Sequence, residues 1–345
     1  MSNIAALQAT IAKLATKGKG ILAADESTGT ITKRFQALNI ESTEDSRRAY
    51  RELLVTTPGI NEFVAGVILY EETLNQKTSQ GIPFANALEK AGILPGIKVD
   101  KGLINLANTN EEQVTQGLDG LPERLAEYKA KGARFAKWRA VYNISANTPS
   151  QLLIDTNAEV LARYAAICQA AGIVPIVEPE VLIDGDHTIE RCEEVTEPVF
   201  QAVFEALYRH KVKLEYIVLK PSMVINGKAC SKKADPAAVA KATIRVLRRT
   251  VPGAVPTVNF LSGGQSSEQA TANLDEMNKL APLPWNLSFS YARALQDYCI
   301  KTWKGDANNV KAAQQAFYKR AKLNSLAAVG KYNKSMEEEV ISLAS

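Results

Sequence analysis

Eight short apolar runs, separated by longer stretches with helical spacing, constrain this chain more than any other feature. The runs lie at Gly18–Ser27, Phe63–Thr73, Leu94–Gly102, Ala133–Tyr142, Gly172–Leu182, Leu214–Met223, Ala254–Gly264 and Pro284–Leu295. Between them, Pro122–Lys131, Asn157–Ala171, Pro198–His210 and Pro236–Thr250 carry apolar residues three and four positions apart. Strand and helix in alternation predict a parallel sheet with helices on its outer face. Eight such units at roughly even spacing predict an α/β fold closed into a single (β/α)8 TIM barrel. The competing arrangement is an open doubly wound sheet, which needs a glycine-rich phosphate turn after its first strand. The segment "AADESTG" is not one.

No Pro/Gly/Ser linker or charge block divides the 345 residues, so one domain over 1–345 is expected. An N-terminal helix is expected within 1–17, where Ile4, Leu7, Ile11 and Leu14 recur at helical spacing. The last residues, 331–345, mix Lys, Asn, Ser and Glu with few apolar side chains and are expected to form a mobile tail.

The 41 Lys+Arg against 37 Asp+Glu give a formal charge of +4 without any basic tract interleaved with aromatics. That balance suits a small anionic ligand and excludes a nucleic-acid partner. The four cysteines, Cys168, Cys192, Cys230 and Cys299, form no CxxC pair, and read as free thiols in a reducing compartment. With only His187 and His210 beside them, no metal site and no cofactor are expected. No apolar run reaches membrane-spanning length, and the N-terminus has no secretory apolar core. Cytoplasmic residence is therefore the expectation. A plastid address would require a transit peptide already removed.

Inside a barrel, alternate strand residues point inward. That parity groups Ala23 with Asp25 and Ser27, Lys98 with Asp100, and Phe135 with Lys137 and Arg139. It also groups Ile176 with Glu178 and Glu180, and Tyr216 with Val218 and Lys220. Five times, charge stands at the C-terminal end of an apolar run, the end at which barrel enzymes place their chemistry. The expected pocket sets Lys98, Lys137, Arg139 and Lys220 against Asp25, Asp100, Glu178 and Glu180.

Lys220 follows the apolar stretch Ile217–Leu219, and no acid follows it in the strand. A lysine buried beside other cations sheds its proton more readily, and the free amine attacks carbonyls to form a Schiff base. The alternative is a structural ion pair with Glu178 or Glu180.

The seventh run ends in "FLSGGQSS", Phe260–Ser267, where free backbone N–H groups before a helix suit an anion. Arg293 ends the eighth run, and barrels commonly bind phosphate on loops seven and eight. Lys33 and Arg34, just beyond the first strand's loop, offer either a second anion site or a solvated helix face.

The segments "GILAADESTGTITKR", "GIKVDKG", "FAKWR", "PIVEPE", "LKPSM", "FLSGGQS" and "SFSYARAL" resemble class I fructose-bisphosphate aldolase from about Gly18 to Tyr332. The resemblance implies metal-independent, reversible cleavage of fructose 1,6-bisphosphate to dihydroxyacetone phosphate and glyceraldehyde 3-phosphate, in glycolysis and gluconeogenesis. It implies Lys220 as the Schiff-base lysine, Glu178 as general acid/base, and Glu180 as support for the lysine network. Lys137 and Arg139 match the family's pair around "KWR", and Asp25 matches its aspartate. Lys98, Ser262, Gly263 and Arg293 match substrate and phosphate contacts, and Lys33 and Arg34 match the basic pair for the distal phosphate. A homotetramer is the commonest family assembly.

Two departures stand out. No tyrosine follows Tyr332, where eukaryotic relatives typically end in one that moves a proton at the enamine. Ala292 replaces a common glycine beside the phosphate site. Two other readings remain open at this stage. One is a transaldolase-like or deoxyribose-phosphate aldolase-like Schiff-base enzyme, and the other is a binding relative without turnover. Cationic sites at two separate places favour a substrate with a phosphate at each end.

Overall fold

The computed structural model describes residues 3–339. Eight parallel strands close on themselves in chain order: β1 (Gly20–Ala24), β2 (Val64–Leu69), β3 (Leu94–Lys98), β4 (Phe135–Tyr142), β5 (Val174–Val181), β6 (Val218–Leu219), β7 (Thr257–Phe260) and β8 (Asn286–Tyr291). Closure is made by β8 against β1, with Ile21 opposite Ser290 and Leu22 opposite Tyr291. The expected (β/α)8 barrel is therefore the observed architecture.

The N-terminal half of the barrel interior is apolar. Ile21, Ala23, Ile68, Leu94, Phe135, Ile176 and Val218 meet there. Phe135 reaches across the lumen because β2 and β3 present glycine on that face. A Cβ at Gly96 would stand 2.2 Å from the Phe135 ring, and one at Gly66 would stand 2.9 Å from it. Helix α1 (Asn3–Leu14) closes this end, burying Leu7, Ile11 and Leu14 against the same cluster. Each such burial is worth about 1.5–3 kcal/mol. The opposite strand parity, with residues such as Leu22, Val67, Trp138 and Leu219, packs outward under the helices and forms the larger core.

The elements differ from the sequence pattern in three places. β6 has two residues, because Leu214–Tyr216 is a 3₁₀ turn and Pro221 has no N–H to continue the ladder. The helix expected from Pro198 begins nine residues earlier, at Ile189, where Thr188 caps it, and runs through Pro198 to Arg209. Pro198 lies on its exposed side, where an unpaired carbonyl is solvated. A two-stranded ribbon, Leu103–Asn105 with Gln113–Thr115, is inserted after β3.

The expected mobile tail is held as far as it is described. The Tyr332 N–H donates to Asp275, and Glu337 pairs at 2.6 Å with the buried guanidinium of Arg320. Tyr332 is also buried in the core and Met336 packs against it, so two apolar side chains spaced within a polar stretch, together with specific polar contacts, anchor the segment. Residues 340–345 lie outside the described residues.

Candidate active site

Two residues above the apolar floor, the same inward parity turns from carbon to charge. β4 carries Lys137 and Arg139 above Phe135, and β5 carries Glu178 and Glu180 above Ile176. The parallel register sets Lys98 opposite Lys137 and Arg139 opposite Glu178. Lys220 follows β6 directly, its backbone N–H donating to the Val177 carbonyl at 2.8 Å, so its side chain keeps the inward direction of Val218. Asp25 follows β1 in the same way. These side chains line a cavity of about 570 Å³ at the C-terminal end of the barrel, within the range that holds a small ligand.

Pairing inside the cavity is dense. Lys137 Nζ stands 2.9 Å from Glu178 Oε2 and 3.1 Å from Asp25 Oδ2. Lys220 Nζ stands 3.3 Å from Glu178 Oε1. Glu178 thus lies between two lysine nitrogens, one facing each oxygen. Lys98 pairs with Asp100 at 2.7 Å, and Arg139 with Glu180.

The field acts on these groups in opposite directions. Burial would raise the Asp25 pKa, but Lys137, Lys220 and Lys98 outweigh it and hold the carboxyl far below its ordinary value. Burial would lower the Lys137 pKa, but Asp25, Glu178 and Asp100 push it well above the ordinary lysine value. At neutral pH, Asp25 is a carboxylate and Lys137 a fixed cation. The structural ion pair considered for Lys220 is present in form, but its partner is shared with Lys137 and the pair opens onto the cavity.

Two ends of the cavity suit anions. At one, Ser262 and Gly263 follow β7, and Gly263 has a left-handed φ of +54° that glycine adopts without strain. Arg293 donates from Nη2 to the Gly263 carbonyl, tying the loop to the start of the helix Arg293–Trp303. At the other, Ser27 caps α2 (Thr28–Gln36), and Ser27, Thr30 and Arg34 line the wall. A helix N-terminus abuts each end, which favours negative charge there.

The cavity therefore gathers Lys220, Glu178, Asp25, Lys137, Glu180, Lys98, Arg139, Ser262, Gly263, Arg293 and Arg34. It leaves out Lys33, which is exposed and does not line the wall. Neighbouring helix residues point about 100° apart, so turning Arg34 inward turns Lys33 to solvent.

Glu26, Ser27, Thr30 and Ser290 were not singled out from the sequence as site residues, yet all line the cavity. Ser27 and Thr30 were legible as a capping pair, the Ser27 hydroxyl accepting from the Thr30 N–H at 3.4 Å. Ser290 has the inward parity of Ser288 in β8, and its hydroxyl has no hydrogen-bond partner among the described residues. Glu26 gave no signal, being one residue out of phase with Asp25. Among the described residues, no helix is long and apolar enough to cross a membrane.

The family model "Fructose-bisphosphate aldolase class-I" matches residues 6–343. The chain is 58% identical over 327 residues to "Fructose-bisphosphate aldolase 6, cytosolic" of Arabidopsis thaliana, covering 94% of this chain and 91% of that protein. It is 54% identical over 331 residues to "Probable fructose-bisphosphate aldolase class 1" of Xanthomonas campestris, covering 96% and 99%. Among solved structures, it superposes with a TM-score of 0.95 on the fructose-bisphosphate aldolase of Plasmodium falciparum, at 52% identity and with 96% of each chain covered. That aldolase was solved in a ternary complex with TRAP and a small-molecule inhibitor.

Proposed function

The chain belongs to the class I fructose-bisphosphate aldolase family, and from that premise we propose how its side chains divide the work. The enzyme is a Schiff-base carbon–carbon lyase that cleaves fructose 1,6-bisphosphate reversibly to dihydroxyacetone phosphate and glyceraldehyde 3-phosphate. The observation that carries the residue assignment is Lys220 Nζ at 3.3 Å from Glu178 Oε1, in a cavity with a cationic site at either end.

In this reading, the Lys220 amine attacks the C2 carbonyl of the open-chain ketose, forming a carbinolamine. Glu178, having taken the proton that Lys220 sheds across their 3.3 Å contact, donates it to the carbinolamine hydroxyl, water leaves, and the C–N bond becomes an iminium. The C4 hydroxyl gives up its proton toward Asp25 while the C3–C4 bond breaks. Its electron pair moves to the iminium, leaving an enamine on Lys220 and releasing glyceraldehyde 3-phosphate. Protonation of the enamine carbon and addition of water return the free amine and dihydroxyacetone phosphate.

Asp25 is ionised and can accept that hydrogen, but the cationic groups around it make it a poor resting place for a proton. Lys137 touches both Asp25 and Glu178, so it is suited to relay the charge between them. Its lasting positive charge also disfavours a second ammonium nearby. Lys98 and Arg139 hold sugar hydroxyls, and Glu180 steadies Arg139. The 1-phosphate sits with Ser262, Gly263 and Arg293, and the 6-phosphate with Arg34. Lys33 is assigned no contact in the resting geometry. Residues 1–345 act as one barrel-centred domain. The subunits assemble as a homotetramer, and the chain works in the cytosol, as the names of its Arabidopsis relatives state for them.

The test is the rate of imine formation. Glu178→Gln is expected to slow it by about 10²–10⁴-fold, the range for a lost general acid, while substrate affinity changes little. An unchanged imine rate removes Glu178 from the role. EDTA is expected to leave cleavage intact. Loss on chelation with recovery on added zinc contradicts metal-free chemistry.

A further inference from the structure

Glu26 sits one residue beyond Asp25 at the cavity wall, and its carboxylate meets side chains from α2, α3 (Glu44–Val55) and the helix Arg293–Trp303. Its side chain is 4% exposed. Oε1 accepts from Arg34 Nη1 at 2.5 Å and from Gln296 Nε2 at 3.1 Å. Oε2 stands 2.9 Å from Arg51 Nη2, a guanidinium that is itself buried. One carboxylate is thus shared by two arginines, of which only Arg34 reaches the cavity.

Among the described residues, Arg34 Nε and Nη2 have no protein acceptor, so Glu26 grips one edge of the guanidinium and leaves the other donors for an anion. Gln296, which also bonds Glu26, lies on the helix that begins with Arg293 at the other anion end. The Tyr50 hydroxyl donates to Gln296 and fixes its orientation.

We propose that Glu26 is a positioning residue that presets Arg34 for a substrate phosphate, with Arg51 as its buried counter-cation. A free arginine side chain loses rotamer entropy when it is fixed. Here a charge-assisted bond made before substrate arrives has already met that cost. The inference rests on the reading of Arg34 as a phosphate contact, and it adds the residue that makes the contact ready.

The experiment measures kcat and KM for fructose 1,6-bisphosphate in Glu26→Gln, Arg34→Met and the double variant, with thermal melts alongside. Glu26→Gln is expected to raise KM about tenfold at nearly unchanged kcat, the effect of losing one bond between charged groups. In the Arg34→Met background, the same substitution is expected to add nothing to KM. Should Glu26→Gln fail to fold because Arg51 is left as a lone buried charge, Glu26→Leu with Arg51→Leu removes both charges, and the same rise in KM is expected. Additive KM effects, or a fall in kcat that follows the melting temperature with KM unmoved, overturn the proposal. If Arg34→Met raises KM but neither Glu26 variant does, only this inference fails. If Arg34→Met leaves KM unchanged, the phosphate reading of Arg34 fails with it.

Discussion

The lower and upper halves of the barrel interior are made by the same strands on the same parity, and they do opposite things. Below, Phe135, Ile176, Val218, Ala23 and Leu94 fill the lumen with carbon, and α1 seals it. Two residues higher on four of these strands, about 7 Å along the chain, Lys137, Glu178, Lys220 and Asp25 stand on the same face, and Lys98, opposite Lys137, ends β3. The difference teaches that the apolar half is part of the chemistry. It keeps water from the underside of the charged layer, where low polarisability strengthens each Coulomb interaction. The opposed shifts of Asp25 and Lys137 are a consequence.

The comparison can be broken from either half. Lys220→Met is expected to remove cleavage by on the order of 10⁶-fold, the scale of losing an essential nucleophile, while the melting temperature changes little. Cleavage kinetics beside a thermal melt check it, and residual activity within a hundredfold of the parent moves the chemistry elsewhere. Phe135→Ala is expected to do the reverse. It costs about 3–5 kcal/mol of stability by opening a cavity under Gly66 and Gly96, and the folded fraction still forms the imine. Denaturant unfolding measures the first, and borohydride trapping on folded protein the second.

A smaller effect separates Asp25 from its neighbours by pH. Its carboxyl is held below the ordinary aspartate value of 3.8 that it has in the unfolded chain, so its stabilisation is complete above that pH and is lost as pH falls toward the folded pKa. The stability advantage of the parent over Asp25→Asn is expected to be flat between about pH 7 and pH 5 and to shrink below about pH 4. An advantage that stays constant through that acid range shows that Asp25 is not held by the lysines.

How much of this was legible in the sequence depended on periodicity. Period-two alternation ending in charge marked the inward face of five strands, so the lysine and carboxylate cluster could be read before any coordinates. What periodicity does not mark was missed. Glu26 has the wrong parity for the lumen and gains its role from arginines 8 and 25 residues away. The early start of the helix at Ile189 depended on the Thr188 cap, and Pro198 misled because its exposed position tolerates a missing bond. Lys33 shared a motif with Arg34, but on a helix adjacency in sequence separates side chains. The hold on residues 331–339 comes from the Arg320–Glu337 and Tyr332–Asp275 contacts and from the packing of Tyr332 and Met336 on the core, which composition does not encode.

The most direct measurement is borohydride reduction of the enzyme in the presence of dihydroxyacetone phosphate, followed by peptide mass spectrometry. A three-carbon phosphate adduct on the nitrogen of Lys220 alone is the predicted result. An adduct on Lys137, or none anywhere while cleavage proceeds, contradicts the account.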